Sequence, residues 1–85
     1  MAYRIHIKPS ALSDLDNLLD KEVQKILSRI AQLQEEPRPI GVQKLTNEEG
    51  YRIRSGNYRI LFEIDEKMKT ILIYRIKHRK DAYKK

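Results

Sequence analysis

Residues 51–65 read YRIRSGNYRILFEID. Two alternating runs flank Ser55-Gly56-Asn57, the pattern of a β-hairpin. Gly-Asn suits the two central positions of a type II′ turn, with glycine first. A three-residue loop with a bulge is the alternative, and it would leave the apolar pattern to sort the faces. Under the two-residue turn Ser55 faces Tyr58, Arg54 faces Arg59, Ile53 faces Ile60 and Arg52 faces Leu61. Side chains alternate along a strand. One face then carries Tyr51, Ile53, Tyr58, Ile60, Phe62 and Ile64, an apolar surface for helices. The other carries Arg52, Arg54, Arg59, Leu61 and Glu63. Like charges directly opposite each other cost up to about 1 kcal/mol per pair. Solubility needs only interspersed signs, so the cluster calls for an anion between the arginines. The guanidinium fork matches phosphate. The competing reading is a water-facing sheet with splayed arginines, or arginines paired with acids of a bound protein.

Upstream, residues 2–8 alternate, with Tyr3, Ile5 and Ile7 on one side and Arg4, His6 and Lys8 on the other. That is a half-buried strand, with His6 on its solvated side. Pro9-Ser10 opens a helix with Ser10 as N-cap. Its apolar stripe is Leu12, Leu15, Leu18 and Leu19. Asp20 caps a second helix, in which Val23, Ile26, Leu27, Ile30 and Leu33 repeat at helical spacing. Pro37 stops it near Glu36. Helices so closely joined form an antiparallel hairpin, and the 37–41 segment is a loop within the domain. Downstream, Asp65–Lys69 is a polar turn and Thr70–Lys77 a strand. Apolar residues on both its faces predict a central, covered strand. The class is α+β: an N-terminal strand, a two-helix hairpin, then three antiparallel strands, with the helices on one face of the sheet.

The chain has 85 residues, which predicts one domain over 1–85 with one modest core. It has no cysteine, which excludes disulfides and thiolate metal sites and suits a reducing compartment. No signal-peptide pattern and no membrane-length apolar run are present. The net charge of +6 is unevenly spread. Residues 1–50 hold seven basic and eight acidic side chains, residues 51–85 eleven and four. A basic excess confined to the arginine face and the tail predicts a polyanionic partner, with RNA or DNA foremost. A solubilising tail or one that docks an acidic protein is the plainer alternative. Arg79 and Tyr83 follow Arg75 by four and eight positions and reach the arginine face if the tail turns back across it. Tyr83 would stack on a base or hydrogen-bond a ribose hydroxyl, or else anchor the C-terminus. His78 is a secondary acid/base candidate because its ordinary pKa lies near neutrality.

The order strand–helix–helix–three strands, with QKL at 43–45, YRIRSGNYRILFEID at 51–65 and IKHRKDAY at 76–83, resembles the RelE/ParE toxin superfamily. The closer likeness is to its RelE-like branch. ParE-like gyrase inhibitors share the fold and often a similar His-Arg segment.

The RelE resemblance implies an mRNA interferase of a type II toxin–antitoxin system. Such toxins bind the ribosomal A site and cleave mRNA by attack of a ribose 2′-hydroxyl on the adjacent phosphate, without metal or other cofactor. It implies Arg54, Arg59, Arg79 and Tyr83 as the catalytic set, with Arg52, Lys44, Lys77 and Lys80 gripping RNA. Arg59 and Arg79 match positions that stabilise the scissile phosphate. Positions 52 and 54 are often lysine in RelE-like enzymes, where one lysine is the general base. Here both are arginine, which hardly deprotonates. Tyr83, His78 or the ribosomal RNA environment is then left to move the proton, or positioning and charge suffice. Thr46 stands where some relatives carry a basic residue. The implied partners are a RelB-like antitoxin, the ribosome and mRNA, with operator DNA bound only through the antitoxin complex, no membrane, and a cytoplasmic location. The alternatives are a ParE-like DNA gyrase inhibitor without nuclease activity and a non-catalytic binding module.

Overall fold

In the computed structural model, residues 2–45 and 50–78 are described. The elements in chain order are β1 (Arg4–Ile7), α1 (Pro9–Asp16), α2 (Asp20–Leu33), β2 (Gln43–Lys44), β3 (Tyr51–Ser55), β4 (Tyr58–Asp65) and β5 (Thr70–His78). The hairpin register is the one its turn predicts: Ser55 pairs with Tyr58, Arg54 with Arg59, Ile53 with Ile60, and Arg52 with Leu61. Gly56 has φ +60, while Asn57 is not among the residues with positive φ. That combination fits type II′ and not type I′. Apolar side chains therefore point one way, and Ile53, Ile60 and Phe62 are buried beneath the helices with Ile26, Ile30 and Leu33.

The sheet has five strands in the order β1-β5-β4-β3-β2. β3, β4 and β5 are antiparallel, and β1 lies parallel to β5 at the edge. A parallel neighbour needs a crossover, and the two helices supply it. β2 is a two-residue edge strand within the QKL stretch, too short for alternation to predict. β5 is interior, as expected, but only one of its faces is fully buried among the described residues. Ile71, Ile73 and Ile76 are buried, whereas Leu72 and Tyr74 are half-buried. The spacing of those isoleucines changes because the register shifts: Leu61 pairs with Arg75 while Phe62 pairs with Ile73. Tyr74 is the extra residue, a β-bulge that returns Ile76 to the core face.

Three local expectations are corrected. Ser10 does not cap α1. Pro9 takes the first turn, Lys8 is the N-cap, and the Ser10 hydroxyl donates to the Tyr74 carbonyl at 2.6 Å. Proline fits there because its missing N–H would have no helical partner. Asp20 does not cap α2 either. It already lies in the first turn with Glu22, where carboxylates complement the helix dipole, and Leu19 is the N-cap. The leucine stripe is narrower than expected. Ala11 and Leu15 are buried, while Leu12 and Leu19 are 49% and 69% exposed. An eight-residue helix has room for little more than one turn-spaced pair against the sheet.

One polar contact fastens α1 to β5. The Asp14 carboxylate accepts from Arg75 Nε at 2.9 Å, from Arg75 again at 3.3 Å and from the Ile76 N–H at 2.8 Å. This contact raises the Arg75 pKa, through the hydrogen bond first and the charge second. We predict that Asp14→Ala destabilises by about 1–3 kcal/mol, because it strands the Ile76 N–H beside the bulge. Arg75→Ala should cost less than about 1 kcal/mol, since Asp14 keeps its backbone donor and the pair is partly exposed. Urea unfolding of the two variants checks the order, and equal losses would contradict it.

Candidate anion-binding site

Arg52, Arg54 and Arg59 share one hollow of about 320 Å³ on the sheet face opposite the helices. Their environments differ. Arg54 is exposed, Arg52 is half-buried, and Arg59 is only 4% exposed. Lys77 faces Arg59 from β5, so Arg54, Arg59 and Lys77 form a row of three cations across three strands. Among the described residues, no carboxylate lines the hollow.

The rest of the wall comes from the segment before β3. Gly41 and Gln43 line it. Gln43 is in register with Arg52, and its Oε1 accepts from Arg52 Nε at 2.7 Å. Sequence reading did not single out Gln43; QKL marked the segment, but its pairing needed β2. Gly41 has φ +94, a left-handed conformation that suits glycine. The loop is held from below by Arg38. Its Nε donates to the Tyr51 hydroxyl at 3.3 Å, and its guanidinium lies 5.3 Å from the centroid of that ring. It also pairs with Glu66 at 3.5 Å. Tyr3 Oη donates to Glu66 at 2.6 Å. That hydrogen bond, ahead of the charges of Arg38 and Lys69, holds the Glu66 carboxyl below its ordinary pKa. The tie is therefore fully present above the ordinary carboxylate pKa and weakens as pH falls through the lower folded value. Arg29 fixes the far end of β3 by donating to the Arg54 carbonyl at 3.2 Å.

Two other candidates stand apart from the hollow. His78 is in register with Tyr58 and meets its ring edge-on at 5.3 Å. It lies one residue beyond Lys77, on the helix side of the sheet. Lys44 is opposite Tyr51, with Nζ 5.0 Å from that ring's centroid. It lines a separate hollow of about 220 Å³ with Gly50, Tyr51 and Glu63. Arg79, Lys80, Tyr83 and Thr46 lie outside the described residues. Among the described residues, no three His, Asp or Glu side chains gather as a metal site needs. Chemically, the hollow offers forked cationic donors, and none of its lining side chains takes up a proton readily near neutral pH.

Residues 5–83 match the family model of the ParE toxin of the type II toxin–antitoxin system parDE. The chain is 29% identical to toxin RelG of Mycobacterium tuberculosis over 87 residues, spanning 100% of both proteins. It resembles the RelBE2 toxin–antitoxin complex of the same organism at a TM-score of 0.80 and 28% identity, covering 93% of this chain and 100% of that one. The archaeal RelE–RelB complex of Pyrococcus horikoshii gives a TM-score of 0.79 and 28% identity, covering 93% and 97%.

Opposed cations on a sheet cost stability, and the pairing of Arg54 with Arg59 is the place to measure it. We predict that Arg54→Thr stabilises the protein by up to about 1 kcal/mol at low ionic strength. The gain should shrink as salt screens the row. Urea midpoints at two salt concentrations test this, and a destabilised variant would contradict it.

Proposed function

The chain belongs to the type II toxin–antitoxin toxins of the RelE/ParE superfamily, and we propose from that premise that it is a ribosome-dependent endoribonuclease acting as one domain over residues 1–85. The observation that carries this reading is the shared hollow of Arg52, Arg54 and Arg59, with no acid among its described lining residues. An RNA backbone phosphate in the A site is the anion it suits. The 2′-hydroxyl oxygen attacks phosphorus, the bond to the 5′-oxygen breaks, and a 2′,3′-cyclic phosphate and a 5′-hydroxyl result. Negative charge builds on the phosphoryl oxygens. Arg54 and Arg59 oppose it, and the low exposure of Arg59 strengthens that interaction, because field lines there run through little water. Arg79 joins them and Tyr83 orients the nucleotide. Arg52, Lys77 and Lys80 grip the flanking backbone, and Lys44 holds the message at the outer edge beside Tyr51.

Proton transfer belongs to a group outside the hollow, since arginine is a poor base. Tyr83 or the ribosomal RNA supplies it more readily than His78, whose ring is packed on Tyr58. Translation stops because the message is cut, and no metal takes part in the step. The partner is a RelB-like antitoxin, which the solved relatives at 28% identity support by being toxin–antitoxin complexes. That antitoxin would carry the complex to operator DNA. The site of action is the cytoplasm. No described helix is long and apolar enough to cross a membrane.

The matching family model favours a second reading, inhibition of DNA gyrase without cutting nucleic acid. The two readings separate on primer extension of a translated message after induction. We expect new cleavages at codons, with Arg59→Ala and Arg54→Ala each lowering cleavage by about 10²-fold or more and relieving growth arrest. Arg54 is exposed, so its variant tests the role without a folding defect. Intact messages together with a DNA-damage response would overturn the nuclease in favour of gyrase. Variants as toxic as wild type at equal expression would remove the hollow from the mechanism.

A further inference from the structure

At the far end of the same open sheet face lies a larger hollow of about 610 Å³, lined by His6, Glu63, Asp65, Glu66, Met68 and Leu72 among others. Its floor is a row across three strands, because Leu72 pairs with His6 on one side and with Glu63 on the other. Leu72 is half-buried, and Met68, which lines the same hollow, is 65% exposed. The turn that forms the rim is held by the Met68 N–H donating to Asp65 Oδ1 at 3.0 Å. Both carboxylate oxygens of Glu66 already accept, one from Tyr3 and one from Arg38. Glu63 is exposed and has no hydrogen-bond or ion-pair partner among the described residues.

The charge of this hollow is opposite to that of its neighbour. Of the three carboxylates that line it, Glu66 is paired with Arg38 and Asp65 accepts from the Met68 N–H, which leaves Glu63, with Lys67 the one cation among the described lining residues. Glu63 stands four residues from Arg59 along β4, about 13 Å at strand rise. A nucleic-acid backbone gripped at the arginine end would meet repulsion here. A second copy would bring the same positive net charge against this one. We infer that the hollow is a docking site for a polypeptide segment in which a lysine or arginine adjoins apolar side chains. The cation pairs with Glu63, and the apolar neighbours cover Leu72 and Met68. An apolar floor with one unmatched charge at its rim gives such a segment both area and register. This docking site is independent of the nuclease reading, because it uses none of the residues placed in that mechanism.

The test is a titration of the full chain, labelled with ¹⁵N, with a blocked Leu-Arg-Leu-Lys peptide and a Leu-Glu-Leu-Glu control. Saturable shifts should gather on His6, Glu63, Met68 and Leu72 with the basic peptide and be absent there with the acidic one. Glu63→Lys should weaken the basic peptide about fivefold or more. Met68→Ser should weaken it with the spectrum otherwise unchanged, and Arg54→Ala should leave it unaltered. Shifts scattered over the helices, or equal affinity in Glu63→Lys with retained spectral dispersion, would overturn the inference. So would sedimentation equilibrium that shows a second copy closing the hollow, with dimerisation lost in Glu63→Lys.

Discussion

Arg54 and Arg59 are held directly opposite each other by a two-residue turn, and much of the molecule follows from that opposition. Gly56 at φ +60 fixes the register. Once it is fixed, every apolar residue of β3 and β4 except Leu61 faces the helices, and every arginine of the hairpin faces away. A slip of one residue would put guanidinium groups under α2 and isoleucines in water, which no packing of Ile26 and Ile30 could offset. The core and the cationic hollow are therefore specified by one register. Neither can be changed without the other.

The hollow is graded. Arg54 stands in solvent, Arg52 is steered by Gln43, and Arg59 is sunk into the sheet. In the proposed role, an incoming anion would meet the exposed charge first and the desolvated one last. Under that proposal, long-range attraction and close-range stabilisation would fall to different side chains of one residue type. The loop that completes the wall is tied through Arg38 to Tyr51 and Glu66, and Glu66 is tied to Tyr3. The wall is thus anchored to strands at both sides of the sheet.

The hairpin was legible because its information is local: alternation, a glycine and an asparagine settle turn, register and faces together. Ile26, Ile30 and Leu33 were legible for the same reason, as a regular stripe on a helix long enough to average over its ends. Other features depend on what the chain meets elsewhere. Leu12 and Leu19 belong to an apolar pattern, but the sheet has room for Ala11 and Leu15. Ser10 and Asp20 are capping residue types that the backbone placed two positions and one position too late to cap. β2 is too short for any periodicity, so the pairing of Gln43 with Arg52 was hidden, and with it the wall of the hollow. The face assignment of Lys44 and His78 likewise required strand partners.

The bulge at Tyr74 has an evolutionary consequence. Before it, odd-numbered residues of β5 are buried, and after it the even-numbered Ile76 is. This switch is what lets Lys77 stand in the row with Arg59 while Ile76 fills the core. What matters between Ile73 and Ile76 is a count of residues more than their identity. Substitutions there are open to drift, but loss or gain of a single codon would exchange the inner and outer faces of the strand's last third. Divergence in this segment should therefore proceed by replacement in a frame of fixed length.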